Sequence, residues 1–260
     1  MAVSMACSPK IVIIGPGVVG KTTGYLFENV NFLDKDSDGD NVEQALYRSE
    51  YIILCLPTPT EKGKQNTKAI EVWLDLIEKT KDDVCIIIRS TVLPKTCEAL
   101  VKKYHLKIAH VPEFLTESTA LYDTQNPELL VIGADDIIFR EKVFQLFNNR
   151  VRAKRVIQCD LTTAETIKYA MNAFFSLKVV FANEVWDLAK EVGAKYEKIK
   201  EALESHKWGS KNGWDVWNSG YRGFSGKCLP KDLEALVNFA DMPLMEKVQE
   251  INNKLLKTAK

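Results

Sequence analysis

The chain has 260 residues, of which 46% are hydrophobic, so it is long enough for one large or two modest domains around a substantial core. Its 35 Lys and Arg residues balance 35 Asp and Glu residues, and a net charge of zero gives no general attraction to nucleic acid or to an anionic membrane. No uncharged apolar run approaches the ~20 residues that a membrane span needs. The N-terminal segment MAVSMACSPK also lacks the apolar stretch of a signal peptide.

The six cysteines form no C-x-x-C pair, and none has a histidine at zinc-ligand spacing. They are Cys7, Cys55, Cys85, Cys97, Cys159 and Cys228. Several lie in apolar strand-like runs, where cysteine behaves as a small hydrophobic residue. We therefore expect no metal site and a reducing, cytoplasmic compartment.

The first part of the chain alternates strand-like and helix-like segments. The predicted strands are 10–14, 31–34, 51–56, 84–88, 106–111 and 129–132, and the predicted helices are 18–28, 43–48 and 69–80. Near-continuous apolar strands in alternation with helices predict a parallel sheet covered on both faces. We assign residues 1–155 to an α/β domain with a Rossmann-type, doubly wound parallel sheet.

The pattern changes near residue 155, and the segment 161–192 contains neither Gly nor Pro. It predicts one long helix with a capping box of Thr162 and Glu165 at its start and Gly193 as its stop. Because apolar residues occupy much of its circumference, we expect the helix to be buried, partly against another subunit. Further helices are predicted at 198–205, 231–240 and from 243 to the end, which makes 156–260 an all-α domain.

A glycine-rich turn follows the first predicted strand and opens the first predicted helix. It reads Gly15-Pro16-Gly17-Val18-Val19-Gly20, a G-x-G-x-x-G pattern in which glycines allow a tight turn and close approach of a pyrophosphate at the positive end of the helix. The second strand ends at Asp34, where an acid should bind the adenosine ribose hydroxyls. The alternative is a glycine-rich turn without a ligand.

The ribose acid also begins a segment that resembles a calcium-binding loop, Asp34 to Gly39. Such a loop needs a bidentate Glu at its twelfth position, which is Ala45 here. We therefore interpret it as a solvated turn. Asp34 favours NAD over NADP, with Lys35 beside it.

The most specific stretch is GFSGKCLPKD at 223–232. Pro230 suits the first turn of a helix, so Cys228 should lie near a helix N-terminus between Lys227 and Lys231. Both features favour the thiolate form of a cysteine. From the chemistry alone, a nucleophile and an inert small residue in a tight turn are both open.

This stretch resembles the G-F-G-G-x-C-x-P-K-D signature of the UDP-glucose/GDP-mannose dehydrogenase family. Other segments match the family in order: GPGVVG at 15–20, LPTP at 56–59, RSTVLP at 89–94, PEFLTES at 112–118 and ETIKYAMNAF at 165–174. The resemblance implies a four-electron oxidation of a nucleotide sugar's primary alcohol to a carboxylate with two NAD. In that reaction Cys228 attacks the aldehyde intermediate, and the resulting thiohemiacetal is oxidised to a thioester that is hydrolysed.

The resemblance also assigns roles to individual residues. Lys168 and Asn172 stabilise oxyanion charge, Asp232 positions a water with Lys168, and Glu113 is the acid/base for thioester hydrolysis. Glu117 lies near the cofactor and the reacting sugar. Without the motifs, a helix-surface lysine and two exposed helix carboxylates would be the ordinary interpretation of Lys168, Glu113 and Glu117.

The full set of implied site residues has three parts. The catalytic residues are Cys228, Lys168, Asn172, Asp232, Glu113, Glu117 and Thr91. The cofactor-binding residues are Gly15, Gly17, Val18, Val19, Gly20, Asp34, Lys35, Pro57, Thr58, Thr91, Glu117 and Lys231. The substrate-binding residues are Glu113, Lys168, Asn172, Lys207, Ser219, Arg222 and Ser225.

The sequence departs from the family pattern in four places. The family continues into a third domain that binds the nucleotide, and its connection between Asp34 and Tyr51 is longer. Ser225 replaces a glycine of the signature, and Lys207 is the nearest equivalent of an Arg that the family supplies to the neighbouring subunit's substrate.

These departures leave three functional hypotheses. The first is an active nucleotide-sugar dehydrogenase that forms a homodimer through the long helix. The second is an inactive or weakly active NAD-binding remnant that serves as a partner subunit. The third is a two-electron β-hydroxyacid dehydrogenase, which needs no nucleophilic cysteine.

Overall fold

The computed structural model of the protein describes residues 10–81, 83–218 and 220–258. The strands are β1 (Ile11–Ile14), β2 (Val30–Leu33), β3 (Tyr51–Leu54), β4 (Thr60–Glu61), β5 (Lys64–Gln65), β6 (Cys85–Ile88), β7 (Lys107–His110), β8 (Leu129–Gly133), β9 (Arg155–Cys159), β10 (Trp217–Asn218) and β11 (Tyr221–Arg222). The helices are α1 (Val18–Gly24), α2 (Gly39–Arg48), α3 (Lys68–Thr80), α4 (Thr96–Tyr104), α5 (Ala120–Gln125), α6 (Ile137–Asn148), α7 (Leu161–Glu191), α8 (Tyr196–Ser205), α9 (Leu229–Phe239) and α10 (Pro243–Leu255).

The described chain divides into two compact units. The first comprises 10–59 and 65–168, and the second comprises 60–64 and 169–258. The division falls at Lys168–Tyr169, inside α7, whereas the domain boundary assigned from the sequence, at 155, falls in β9. The short β4–β5 hairpin interrupts the first unit in sequence, and its residues 60–64 belong to the second.

The first unit is built on a seven-stranded sheet with the order β2-β1-β3-β6-β7-β8-β9. The strands pair in parallel except β7 and β8, which are antiparallel at His110 and Gly133. This order reverses at β1, as in a doubly wound sheet, and confirms the predicted fold class. The antiparallel pair was not expected from the apolar pattern, which looks the same in both directions.

Two apolar cores cover the faces of this sheet. One contains alternate residues of the central strands with α2, α3 and α4, including Ile52, Ile86 and Leu74. The other contains the intervening strand residues with α6, including Ile53, Ile87 and Phe147. Because successive strand residues point to opposite faces, a strand buried on both sides has to be apolar throughout, as the sequence of β6 shows.

The first helix is shorter than predicted, because it ends at Gly24 and not near residue 28. A Cβ atom on Gly24 would lie 2.4 Å from the ring of Phe32 on β2. The chain then turns through hydrogen bonds from Leu26 to Thr23 and from Phe27 to Gly24. The absence of a side chain at Gly24 therefore leaves room for Phe32 to pack against the end of α1. The helices α4, α5 and α6 and the strand β9 were not predicted.

The long helix α7 spans 31 residues and ends one residue before the predicted end at 192, but its start is not the predicted capping box. Asp160 caps the helix, since its Oδ1 accepts a hydrogen bond from the Thr163 amide at 2.8 Å. Glu165 instead turns away from Thr162 to bind other backbone amides. Gly193 ends the helix in the left-handed conformation (φ +70°), and Ala194 donates to the Ala189 carbonyl at 2.8 Å, as in a Schellman motif.

No helix of the described ranges is long and apolar enough to cross a membrane.

Candidate active site

The glycine-rich turn between β1 and α1 has two kinds of glycine. Gly15 adopts φ +95°, and a Cβ atom there would lie 2.4 Å from the carbonyl oxygen of Cys55. A Cβ atom on Gly20 would lie 2.2 Å from the Gly15 carbonyl, so both positions pack backbone against backbone. Gly17 differs, because a Cβ atom there would have no other atom within 4 Å. The turn therefore has the form of a cradle whose open side can receive a pyrophosphate.

Asp34 follows β2, as predicted for the ribose-binding acid. Its Oδ1 accepts hydrogen bonds from the Asp36 amide at 3.0 Å and from Ser37 Oγ at 3.2 Å. Lys35 is exposed and pairs with Asp36 at 3.0 Å. The turn thus holds the Asp34 carboxylate at the end of its strand and places the Lys35 ammonium beside a second acid.

The loops after β3 and β6 bring two further predicted cofactor residues together. Thr58 is buried, and its hydroxyl donates to the Thr91 carbonyl at 2.7 Å. The Ser90 hydroxyl accepts a hydrogen bond from the Leu56 amide at 2.8 Å, and Pro57 is exposed between them. Both loops lie at the carboxyl ends of neighbouring parallel strands, where doubly wound sheets bind their ligands.

Glu113 and Lys168 form a nearly buried ion pair in the first unit. Their Nζ–Oε1 distance is 3.2 Å, with side-chain exposures of 6% for Lys168 and 12% for Glu113. The other oxygen of Glu113 accepts a hydrogen bond from the Leu115 amide at 2.9 Å, and the Lys168 ammonium lies 5.2 Å from the centre of the Phe114 ring. A lysine held in this way is a fixed positive charge in a site with little water, which is the arrangement that stabilises an oxyanion.

Glu113 and Glu117 are not the pair of exposed helix carboxylates that would be the ordinary interpretation without the motifs. Glu113 lies in an irregular segment after β7, and Glu117 is an exposed residue that begins a short 3-10 turn, Glu117–Thr119. Pro112 and the bonding of Thr116 to Asp123 keep this segment out of a regular helix. The structure therefore separates the environments of the two carboxylates.

Two buried polar residues beside this pair were not predicted from the sequence. His110 is fully buried at the end of β7, and burial lowers its pKa to about 3, so the ring is neutral. Arg89 follows β6, and its guanidinium lies 5.4 Å from the centre of the Phe147 ring. Among the described residues, the His110 ring nitrogens and Arg89 Nε have no hydrogen-bond partner. Both could have been recognised in the sequence as a polar residue at the end of an otherwise apolar strand.

Cys228 occupies the predicted place at the start of a helix. It is the N-cap residue of α9, it is exposed, and Pro230 follows in the first turn. One turn later, Asp232 is 1% exposed and accepts a hydrogen bond from the side-chain amide of Asn172 at 2.7 Å. The other Asp232 oxygen pairs with Lys231 at 2.5 Å. The second unit therefore brings together Asn172, Lys231 and Asp232 behind the helix start that carries Cys228.

The segment before Cys228 is anchored at two points. The Arg222 guanidinium is buried and donates to Asp187 at 2.8 and 2.7 Å and to the Asn183 side chain at 3.0 Å, all on α7. The Asn252 side chain of α10 accepts from the Phe224 amide at 2.7 Å and donates to the Phe224 carbonyl at 2.9 Å. These hydrogen bonds attach the segment before Cys228 to α7 and α10. The substrate-binding role of Arg222 remains a prediction.

Of the other predicted substrate residues, Ser225 and Lys207 lie in loops. The Ser225 hydroxyl contacts the hydroxyl of Tyr221. Lys207 is exposed after α8, 5.9 Å from the centre of the Trp208 ring. Ser219 lies outside the described residues.

Within the described ranges, no group of three or more acidic, His or Cys side chains could hold a metal ion.

Comparison with known proteins places both units in one family. Residues 34–151 match the NAD binding domain of the UDP-glucose/GDP-mannose dehydrogenase family, and residues 162–254 match its central domain. The chain belongs to the UDP-glucose/GDP-mannose dehydrogenase family. The first unit thus contains most of the residues that match the NAD binding domain. The open space at Gly17 is compatible with that cofactor.

Individual relatives agree with this assignment. The chain is 32% identical to the UDP-glucose 6-dehydrogenase YwqF of Bacillus subtilis, over 81% of this chain and 50% of the relative. It is 28% identical to a UDP-glucose 6-dehydrogenase of Rickettsia felis, over 89% of this chain and 61% of the relative. The chain therefore spans about half to three fifths of the length of these curated relatives.

The fold of a UDP-glucose dehydrogenase from the archaeon Pyrobaculum islandicum superimposes with a TM-score of 0.84, over 98% of this chain and 70% of that one. At 23% identity this likeness concerns the fold alone.

Proposed function

We propose that the protein oxidises the primary alcohol of a nucleotide sugar, such as UDP-glucose or GDP-mannose, to the uronic acid. The observation that carries the proposal is the position of Cys228 at the N-cap of α9, one turn before a buried Asp232 that is bonded to Asn172 of α7. A two-electron hydroxyacid dehydrogenase has no use for a nucleophile at this point. A covalent route from aldehyde to acid requires one.

In the first oxidation, the sugar's CH₂OH group loses a hydride and a proton to become an aldehyde. NAD supplies the hydride acceptor here and again in the second oxidation. Lys168 and Asn172 hold the sugar oxygen and stabilise its developing negative charge. Asp232, with Lys168, orients the water that carries the proton away. The Glu113 carboxylate holds Lys168 in place, as their 3.2 Å contact supports.

In the second oxidation, the Cys228 thiolate forms a carbon–sulfur bond to the aldehyde carbon, and the oxygen takes up a proton. Loss of a second hydride and of that proton gives a thioester on Cys228. Glu113 then takes a proton from a water that attacks the thioester carbon, which releases the carboxylate and the thiol. The balance is one sugar and one water in, and one uronate, two hydrides and three protons out.

Cofactor and substrate contacts follow the residue assignments above. The glycine cradle, Asp34, Thr58, Thr91, Glu117 and Lys231 bind NAD, and the loop that contains Arg222 and Ser225 binds the sugar. Names of the relatives support UDP-glucose as the first substrate to try. We also propose a cytoplasmic location, where nucleotide sugars and reduced thiols coexist.

We propose further that two copies of the chain associate through α7. The helix exposes Phe174, Phe181 and Leu188 at 60%, 48% and 56%, and these residues are spaced seven apart. A stripe with this period lies on one side of a helix. Met171, one turn before Phe174, extends it at 47% exposure. An apolar stripe of this length on one helix face favours a second copy of the same helix as its cover.

The proposal is tested by counting NADH formed per sugar oxidised, with purified protein and a panel of UDP- and GDP-sugars. We expect two NADH per sugar, and no uronate from Cys228→Ser. One NADH per molecule, unaffected by that substitution, would instead support a hydroxyacid dehydrogenase. Binding of NAD without turnover of any sugar would support a partner-dependent or inactive subunit.

A further inference from the structure

Glu165 makes an unusual pair of contacts in the first unit. Its side chain is fully buried in the second turn of α7. One oxygen accepts a hydrogen bond from the Cys97 amide at 2.7 Å, and the other accepts one from the Lys95 amide at 2.7 Å. Both amides belong to the start of α4. The carboxylate of one helix therefore caps the N-terminus of another.

The start of α4 has no cap of its own. Its N-cap residue is Lys95, which adopts the left-handed conformation (φ +72°) and makes no side-chain cap hydrogen bond. A lysine offers no acceptor to the exposed amides of a first turn. The negative charge of Glu165 supplies both the acceptors and a favourable interaction with the helix dipole. The conformation of 95–97 thus depends on α7.

The loop between β6 and α4 is held at its other end by hydrogen bonds to Thr91. Its carbonyl accepts hydrogen bonds from Thr58 Oγ1 at 2.7 Å and from Gln65 Nε2 at 3.0 Å. The Gln65 side chain also accepts from the Leu93 amide at 2.9 Å. The loop from Thr91 to Lys95 is therefore fixed at both ends, and Glu165 is its attachment to α7.

Glu165 also lies three residues before Lys168 on the same helix, so the two side chains project from the same side of the helix. Lys168 pairs with Glu113 at 3.2 Å. A single helical turn thus carries the ammonium of the proposed oxyanion site and the carboxylate that holds the Thr91 loop.

We propose that Glu165 is a positioning residue that holds the Thr91 loop against the turn of α7 carrying Lys168, so that NAD affinity depends on its two hydrogen bonds. The inference rests on the proposed function, in which Thr91 contacts the cofactor. Glu165 itself touches neither cofactor nor substrate in this scheme. It acts through Lys95 and Cys97.

The charge state of Glu165 provides a way to test this role without a substitution. Burial raises its pKa to about 7, against the lowering effect of the Cys97 and Lys95 hydrogen bonds. The titratable groups that face it are Asp135, which also raises its pKa, and the Cys97 thiol, whose own pKa burial and Glu165 raise. A protonated carboxyl keeps one good acceptor oxygen, so one of the two bonds weakens below pH 7.

The experiment is calorimetric NAD binding at pH 6 and pH 8 for the wild type, Glu165→Gln and Glu165→Asp. Amide hydrogen exchange of 91–97 is measured on the same proteins without NAD. The matched control is Glu71→Gln, which removes a carboxylate that pairs with Lys103 at 2.7 Å near the other end of α4. We expect Glu165→Gln to bind NAD about tenfold more weakly at pH 8, the equivalent of one charge-assisted hydrogen bond, and to exchange faster at 91–97.

The wild type should gain up to about tenfold in NAD affinity from pH 6 to pH 8. Glu165→Gln should lose this dependence, and Glu71→Gln should keep it. Unchanged affinity and exchange in Glu165→Gln, or the same pH dependence in both variants, would overturn the inference. NAD binding that follows these expectations without sugar oxidation would reject the proposed activity and leave the role of Glu165 standing. A wild type that binds no NAD would overturn both.

Discussion

Asp232, in the first turn of α9, accepts a hydrogen bond from the Asn172 side chain of α7 at 2.7 Å while being 1% exposed. A buried carboxylate that loses a partner retains the cost of its desolvation. The Asn172 amide therefore stabilises the helix start that carries Cys228. This relationship lies within the second unit and can be tested without substrate.

Removal of Asn172 should lower stability more than removal of an exposed asparagine. We expect Asn172→Ala to reduce the free energy of unfolding by about 1–3 kcal/mol, because Asp232 stays buried with one partner fewer. The measurement is urea unfolding, with Asn253→Ala of α10 as control, expected within about 0.5 kcal/mol of wild type. A double-mutant cycle with Asp232→Ala that gives no coupling energy would contradict the hydrogen bond's role.

Substitutions of different glycines in the glycine-rich turn should affect stability and NAD binding separately. We expect Gly17→Ala to melt within about 2 °C of wild type, since nothing lies within 4 Å of the added methyl group, yet to bind NAD at least about tenfold more weakly. Gly20→Ala should lose about 1–3 kcal/mol of stability through its backbone clash. Gly39→Ala, also in open space but outside the turn, should change neither property. Normal NAD affinity in Gly17→Ala would place the cofactor elsewhere.

Lys168 should contribute to turnover beyond its ion pair. We expect Lys168→Met to reduce kcat by about 10²–10³, because a fixed charge near the oxyanion is lost, and also to destabilise the protein by leaving Glu113 unpaired. The double variant Lys168→Met/Glu113→Gln should regain stability, because the unpaired buried carboxylate is removed. Lys190→Met, at the exposed end of the same helix, is the control. A kcat of folded Lys168→Met within about threefold of wild type would show that Lys168 is structural only.

Because of Glu165, the free energy of unfolding should fall as the pH rises. Its pKa rises from 4.5 in the unfolded chain to about 7 in the folded protein, so the folded state binds the extra proton between these values. Stability should therefore fall as pH rises from 4.5 to 7, by on the order of 3 kcal/mol, and level off above 7. The difference between wild type and Glu165→Gln in urea unfolding at several pH values isolates this contribution. A difference that is flat across the interval would refute it.

The stripe on α7 should control the oligomeric state. We expect the wild type to sediment at twice its chain mass of 29.4 kDa, and Phe174→Glu/Phe181→Glu to sediment at 29.4 kDa, because charges cannot be buried in the interface. Ile138→Glu, which replaces an 84% exposed apolar residue of α6, is the control and should leave the mass unchanged. A wild type that is monomeric at all concentrations would exclude the proposed interface.

The local sequence pattern was sufficient to predict the elements that have a strong apolar pattern or a clear stop residue. The strands β1, β3 and β6 were visible because their residues are apolar throughout, and α7 because it lacks Gly and Pro until Gly193. The position of Cys228 at a helix N-terminus was predicted from Pro230, which suits the first turn of a helix, and this position is confirmed. These signals depend on neighbours in sequence.

Features that depend on distant residues could not be predicted in this way. Helix α4 begins at an unfavourable lysine, and its cap, Glu165, lies 70 residues from Lys95 in sequence. For the same reason Glu165 was assigned to the wrong partner. The exposed stripe of α7 could not be separated from its buried face, because apolar residues surround the helix. Strands of two residues, such as β10 and β11, carry no periodicity at all.

In the proposed mechanism, Cys228 becomes covalently bound to the oxidised sugar. Its most direct test is mass spectrometry of Glu113→Gln after rapid quenching with NAD and the best nucleotide sugar, because loss of the hydrolytic base should leave the thioester in place. We expect an added mass equal to the oxidised sugar nucleotide on the peptide containing Cys228, and none in Glu113→Gln/Cys228→Ser. Two NADH per sugar with no adduct on that peptide at any time would contradict it.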